Sequence, residues 1–218
     1  MNKLIAFTLL CLPFLLPSPW AKAAGDLEAL HAAIPADAGL VIELDLREAA
    51  KVYDEMWKHI EQAPLVEQSS ALASLLTMQR VGVDTLIDMS KERLGVDPRK
   101  DLRAGLTAVS FSRAEPQFVM AIQGKLPADL AEKLFPEGPP PDMQMKLLNP
   151  GPQAILVAAQ PARFAAAVES VQAGKTADPV RQLHPVLFSQ VPGALIRLSF
   201  ALPEKVKGAV KADSHAPF

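Results

Sequence analysis

Hydrophobic and polar residues recur along the chain in two periods, and the switches between them mark the elements. Leu40 to Leu44 is a short β-branched run after the turn residues Pro35–Ala36–Asp37–Ala38–Gly39, and it predicts a first strand. Before that turn, Asp26 to Ile34 reads as a short helix or an arm leading into the strand. Asp45 and Glu48 stand at capping-box spacing directly after the strand, so a helix is expected to start there. Leu46, Ala49, Ala50, Tyr53, Met56, Trp57 and Ile60 lie on one stripe of that helix, which Pro64 is expected to stop. A second helix is expected from Leu65 to Arg80, and a third through Val83, Leu86, Ile87 and Leu94, ended by Gly95.

Strand-like runs return at Leu106 to Arg113 and at Gln117 to Gly124, joined by the short turn Ala114–Glu115–Pro116. Pro127 to Phe135 predicts a short helix with proline at its first position. Met143 to Leu148 alternates as a half-exposed strand does, Asn149–Pro150–Gly151–Pro152 is a turn, and Ala154 to Ala158 reads as a buried strand. Pro161 to Val171 is a helix with Phe164, Ala165, Val168 and Val171 inward, and Asp178–Pro179 opens another reaching Gln190. Leu195 to Phe200 is the last strand, and Pro203 can open one more helix.

This order predicts an α+β fold, a mostly antiparallel sheet with helices packed on one face. The elements follow the split βαβ, ferredoxin-like order, with the first crossover enlarged to three helices. Ala154 to Phe200 reads as a partial second copy of that unit. The expected organisation is a signal peptide over 1–23, a first α+β unit over 24–150, and a partial second unit over 151–218 packed on the first. The last strand then needs a partner edge from this chain or another, which leaves a homodimer open.

The first residues alter the picture of where the protein works. Met1–Asn2–Lys3, the apolar run Leu4 to Leu16 and the small residues Ala21–Lys22–Ala23 are the three parts of a secretory signal peptide. The run is shorter than the ~20 residues that span a bilayer, and no later stretch approaches that length. Cleavage is expected after Ala23, with Ala24 as second choice. Cys11 lies inside the run behind Leu10, which is not where a lipidated cysteine sits, and it leaves with the signal. The mature chain is then thiol-free, exported and periplasmic or secreted.

Composition narrows the chemistry. The 218 residues carry 22 Lys and Arg against 24 Asp and Glu, a formal net charge of -2, which opposes a role in holding nucleic acid. The four histidines lie far apart in sequence, and no H-E-x-x-H, paired-cysteine, G-x-S-x-G or glycine-rich phosphate motif occurs. No cofactor or metal is therefore expected. Asp97 to Arg103 is the most distinctive polar segment, with Asp97, Asp101 and Arg103 as candidate site residues. Cations interleave with its acids, which opposes calcium binding and favours a capped turn with Pro98 in first position. Glu43 is the other candidate, an acid in a strand otherwise apolar on both sides.

The run Ile34–Pro35–Ala36–Asp37–Ala38–Gly39–Leu40–Val41–Ile42–Glu43–Leu44–Asp45, and later Gly95–Val96–Asp97–Pro98–Arg99–Lys100–Asp101–Leu102, resembles uncharacterised exported bacterial proteins with a domain of unknown function. The resemblance implies export and the α+β fold, and it brings no activity with it. The leading functional expectation is a non-enzymatic binding or interaction module of the envelope, acting on an envelope protein. Two alternatives stand beside it: a carboxylate-dependent hydrolase using Glu43 and Asp45, and a carrier of a lipid or other small apolar ligand.

Overall fold

The computed structural model describes residues 29–111, 115–189 and 194–201. The expected signal segment and the helix expected at Pro203 lie outside these residues. The fold is α+β, one six-stranded antiparallel sheet with helices. Along the chain, β1 (Ala38–Asp45) is followed by α1 (Leu46–Glu61), α2 (Pro64–Gln68) and α3 (Ser70–Leu94). Then come β2 (Leu102–Ser110), β3 (Gln117–Leu126), α4 (Leu130–Leu134), β4 (Gln144–Leu148) and β5 (Gly151–Ala159). The chain continues through α5 (Pro161–Ala173), α6 (Asp178–Leu183) and α7 (Pro185–Phe188) to β6 (Ile196–Phe200). Among the described residues, no helix is long and apolar enough to cross a membrane.

Local chemistry accounts for the element boundaries. The Asp45 carboxylate accepts the Glu48 N–H at 3.0 Å and caps α1 as its spacing predicts. Pro64 opens α2 instead of merely ending α1. The second and third expected helices are one continuous helix, α3, from which only the first turn is set off as α2. The break falls at Ser69, whose hydroxyl accepts the Leu72 N–H at 3.3 Å and caps α3. Gly95, with φ of +70°, closes α3 in the left-handed conformation. The helix expected from Asp178 to Gln190 is divided at His184, because Pro185 excludes the helical conformation from the residue before it. The helix expected at Pro127 begins three residues later, at Leu130.

The sheet order is β4-β5-β3-β2-β1-β6, with every neighbouring pair antiparallel. This pairing differs from the ferredoxin-like arrangement, in which a single helix returns the chain along the strand and the strand after it runs parallel to the first. Here α1 leads away from the sheet and α3 leads back, as contacts of Arg80 with Trp57 and of Arg99 with Tyr53 record. The chain re-enters at the end it left, so β2 lies directly beside β1 and antiparallel, with Ala104 opposite Asp45. The stretch read as a partial second unit contributes β5 and β6 to this same sheet, β5 between β3 and β4 and β6 on the opposite edge.

Helices pack on both faces, not the single face expected. On one, Val41, Leu106, Val119, Ala121 and Val157 pack with Leu30, Ile34 and residues of α5, α6 and α7. On the other, Leu156 and Leu126 pack with Leu130 of α4 and Leu94 at the end of α3. The cause is β5, buried on both sides from Ala154 to Ala159, so neither face there can be left open.

Where β3 slips past β2, Gly124 lies against the backbone of Asp101 and Leu102, and a Cβ would run into the Asp101 carbonyl oxygen. Neither backbone can retreat without breaking the Lys125 N–H bond to that same oxygen, 2.7 Å long. Gly124→Ala is therefore expected to lower stability by about 1–3 kcal/mol, measured as the midpoint shift in urea unfolding. An unchanged midpoint would show that this contact constrains nothing.

Candidate functional site

Of the sequence candidates, Glu43 lies at the centre of a side-chain cluster. Strand alternation puts Glu43 on the face with Val41, under α7 and the helical turn at residues 29–31. It is 1% exposed. A carboxylate there must be paired, because an isolated buried charge is prohibitively costly. His31 Nε2–H donates to Glu43 Oε2 at 2.7 Å, and Arg197 Nη1 donates to Glu43 Oε1 at 3.0 Å. Arg197 stands directly across the β1–β6 ladder from Glu43, and its Nη1 also reaches the Leu187 carbonyl of α7 at 3.2 Å. The His31 ring meets Phe188 edge-on, with centroids 4.6 Å apart, and Arg181 covers the Phe188 ring at 4.6 Å.

His184 makes a second buried polar link on the same face. Its Nε2–H donates to the Ala38 carbonyl at 2.9 Å, and the Ser199 hydroxyl donates to Nδ1 at 2.9 Å. A carbonyl can only accept, so Nε2 carries the proton, and in the neutral ring Nδ1 is the acceptor for Ser199. Burial lowers the His184 pKa below its ordinary value, partly countered by the bond to Ala38. Burial likewise raises the Asp45 carboxyl, opposed by the Glu48 N–H that it caps. Ser199 and Arg197 alternate on β6 with Val41 and Glu43 opposite, so the two links form one continuous polar seam between β1 and β6.

The other candidates lie elsewhere. Asp97 Oδ1 accepts the Arg99 N–H at 3.0 Å, and Asp101 Oδ2 reaches back to the Asp97 N–H at 2.8 Å. The two acids thus cap the turn between α3 and β2 reciprocally. Lys91 lies 3.5 Å and Lys100 3.9 Å from Asp97. Arg103 sits where β2 slips against β3. Arg99, in the same segment, holds the helical excursion together. It donates to Asp84 at 2.6 Å and lies over the Tyr53 ring at 5.3 Å, while Arg80 bonds Glu61 and lies over Trp57 at 6.0 Å. Asp37, from the turn before β1, accepts from Ser110 at 3.1 Å and pairs with Arg163 of α5 at 2.5 Å.

His31, Arg197 and Ser199 are not legible as site residues, since 12 and 154 positions separate Glu43 from its two partners. The one available signal is alternation in Leu195 to Phe200, which sets Arg197 and Ser199 on a single face. Among the described residues, no group of three or more His, Cys, Asp or Glu is placed to hold a metal ion. Both oxygens of Glu43 are engaged, and the cluster joins the turn at His31, β1, β6 and α7. No known protein family matches the chain, and no curated protein or solved structure matches it either.

Removing Glu43 leaves Arg197 buried without its counter-charge. Glu43→Ala is expected to cost about 3–5 kcal/mol of folding stability, read by chemical denaturation, with Glu43→Gln costing less because its one remaining side-chain oxygen still accepts from Arg197. Equal stability of wild type and Glu43→Ala would contradict the pairing.

The pKa of His184 is lower folded than unfolded, so between those values the unfolded chain binds the extra proton. Stability is then expected to fall as the pH drops below about 6.5, the ordinary histidine value, toward the folded pKa. His184→Gln, which keeps a donor for Ala38, should flatten the dependence in this window. Superimposable stability–pH curves for the two proteins would refute the assignment.

Proposed function

We propose that this protein is a non-enzymatic interaction module of the bacterial envelope that binds a helical segment of an envelope protein along α3. The observation that carries the reading is a row of large apolar side chains turned outward from that helix. Leu75, Met78 and Leu86 are 50%, 67% and 53% exposed, with Leu72 and Met89 continuing the stripe at both ends. A run of apolar residues on a helix face turned away from its own core is a common mark of a protein contact site.

The spacing of the row argues for a helix as occupant. Leu72, Leu75, Gln79, Gly82, Leu86 and Met89 fall on alternating steps of three and four, the seam of two helices packed side by side. Gly82 lies in the middle, and a Cβ there would meet nothing. A mid-helix glycine costs about 1 kcal/mol relative to alanine, and it lets a second backbone approach closely at that point. Asp88, Lys91, Glu92 and Arg93 follow near the end of the helix and provide charges of both signs at the rim.

The export half of the reading rests on the signal-like residues 1–23 and on the resemblance to exported bacterial proteins. The hydrolase alternative loses its accessible acid, because Glu43 is sealed between His31 and Arg197.

A photo-crosslinking residue at Met78, in the full chain expressed in bacteria, tests both halves. The expected result is a discrete adduct in the envelope fraction whose protein component begins near Ala24 by intact mass. That adduct should be abolished by Leu75→Glu with Leu86→Glu, while a crosslinker at the exposed Lys125 gives none. An adduct pattern unchanged by those substitutions, or no adduct specific to Met78, would overturn the docking reading. A full-length chain confined to the cytosol would overturn the export reading.

A further inference from the structure

Among the described residues β6 is an outermost strand of the sheet, and its backbone phase can be worked out from its two ends. The Asp45 N–H donates to the Leu195 carbonyl at 2.9 Å, and the Ala201 N–H donates to the Gly39 carbonyl at 2.8 Å. In an antiparallel ladder both backbone groups of a residue point to the same side, and the side alternates with each residue. Residues 195, 197, 199 and 201 therefore face β1. Ile196, Leu198 and Phe200 direct their N–H and C=O away from the sheet.

The side chains at the same three positions are apolar, and Leu198 and Phe200 are 61% and 56% exposed. Edge strands are normally protected by an outward lysine, a proline or a bulge. β6 carries none of these, and its single charge, Arg197, is turned inward to Glu43. Phe111, at the end of β2, packs against Phe200 with ring centroids 6.5 Å apart and widens the apolar edge.

We propose that β6 pairs antiparallel with β6 of a second copy of this chain about a two-fold axis at Leu198. In this register Leu198 faces the partner's Leu198, and Ile196 faces the partner's Phe200. All three are hydrogen-bonding positions, so every outward backbone group of the strand is satisfied. Arg197 falls opposite the partner's Ser199, which keeps the two like charges from meeting across the axis. A register centred on Ile196 or on Phe200 leaves outward groups without a partner. The two sheets become one, and their apolar edges continue into each other. This pairing rests on the sheet edge alone and is independent of the α3 reading.

The test is sedimentation velocity of the full chain across a concentration series. A dimer is expected, and Leu198→Lys, which sets two cations against each other on the axis, should weaken it at least about 100-fold. The side chain is exposed, so the variant should keep the wild-type circular dichroism spectrum. Leu75→Glu with Leu86→Glu on α3 should leave the dimer intact, which separates this failure from failure of the α3 site.

Disulfide trapping in a Cys11→Ser background reads the register, because hydrogen-bonded Cα atoms about 5.5 Å apart lie within disulfide reach. Leu198→Cys should crosslink to itself. Ile196→Cys and Phe200→Cys should crosslink only when mixed. A chain that stays monomeric up to about 100 μM, or a dimer indifferent to Leu198→Lys and untrapped by Leu198→Cys, would overturn the proposal.

Discussion

A carboxylate on the covered face of a sheet is tolerated only when its charge is met at once, and Glu43 is that constraint in this protein. Its two oxygens draw together pieces of chain that share no local sequence: the turn carrying His31, strand β6 carrying Arg197 and, through Arg197, the Leu187 carbonyl of α7. Withdrawing β6 would strand the Glu43 charge without Arg197, and withdrawing the turn would leave Glu43 Oε2 without the His31 N–H. Formation of the β1–β6 edge is thereby coupled to seating of the helices above it. Buried pairs of this kind contribute little net stability compared with an apolar replacement, but removing one member is costly. The seam joins β1 to β6 in one register, with Glu43 opposite Arg197 and Val41 opposite Ser199.

The helical excursion answers a different constraint. A chain that leaves β1 and returns antiparallel must come back to the end it left. An outgoing α1 and a returning α3 accomplish this where one helix would not. The arm is braced by cations on aromatic rings and by ion pairs, Arg99 with Tyr53 and Asp84, Arg80 with Trp57 and Glu61. These contacts use one side of α3 and leave its Leu75, Met78 and Leu86 side to solvent. Apolar surface is thus presented by a long helix that joins the sheet through Gly95 and β2.

Much of the fold is legible in the chain. All six strands occur near their expected positions, because alternation between turn residues is a local property. The Asp45 cap of α1 and the extent of α5 are equally local. Where local signals misled, a neighbouring residue decided the outcome. The break expected between Arg80 and Val83 does not occur, since the single glycine there costs less than the hydrogen bonds a break would lose, whereas Pro185 did divide the helix before β6 by steric exclusion. The polar seam shows the same limit. Glu43 stands out because an acid interrupts an apolar strand, but nothing near it names His31, and Arg197 lies near the far end of the described chain.

The sequence by itself determined the α+β class, the order of elements and the presence of an acid that had to be accommodated. Only the tertiary structure decided that β1 lies between β2 and β6, that helices pack on both faces of the sheet, and that the acid is closed off by a histidine and an arginine. The reason is physical. Periodicity and capping act over a few residues and leave their mark in every short window of sequence. Strand pairing and charge burial depend on which distant groups reach the same point in space, and no short window contains both members of such a pair.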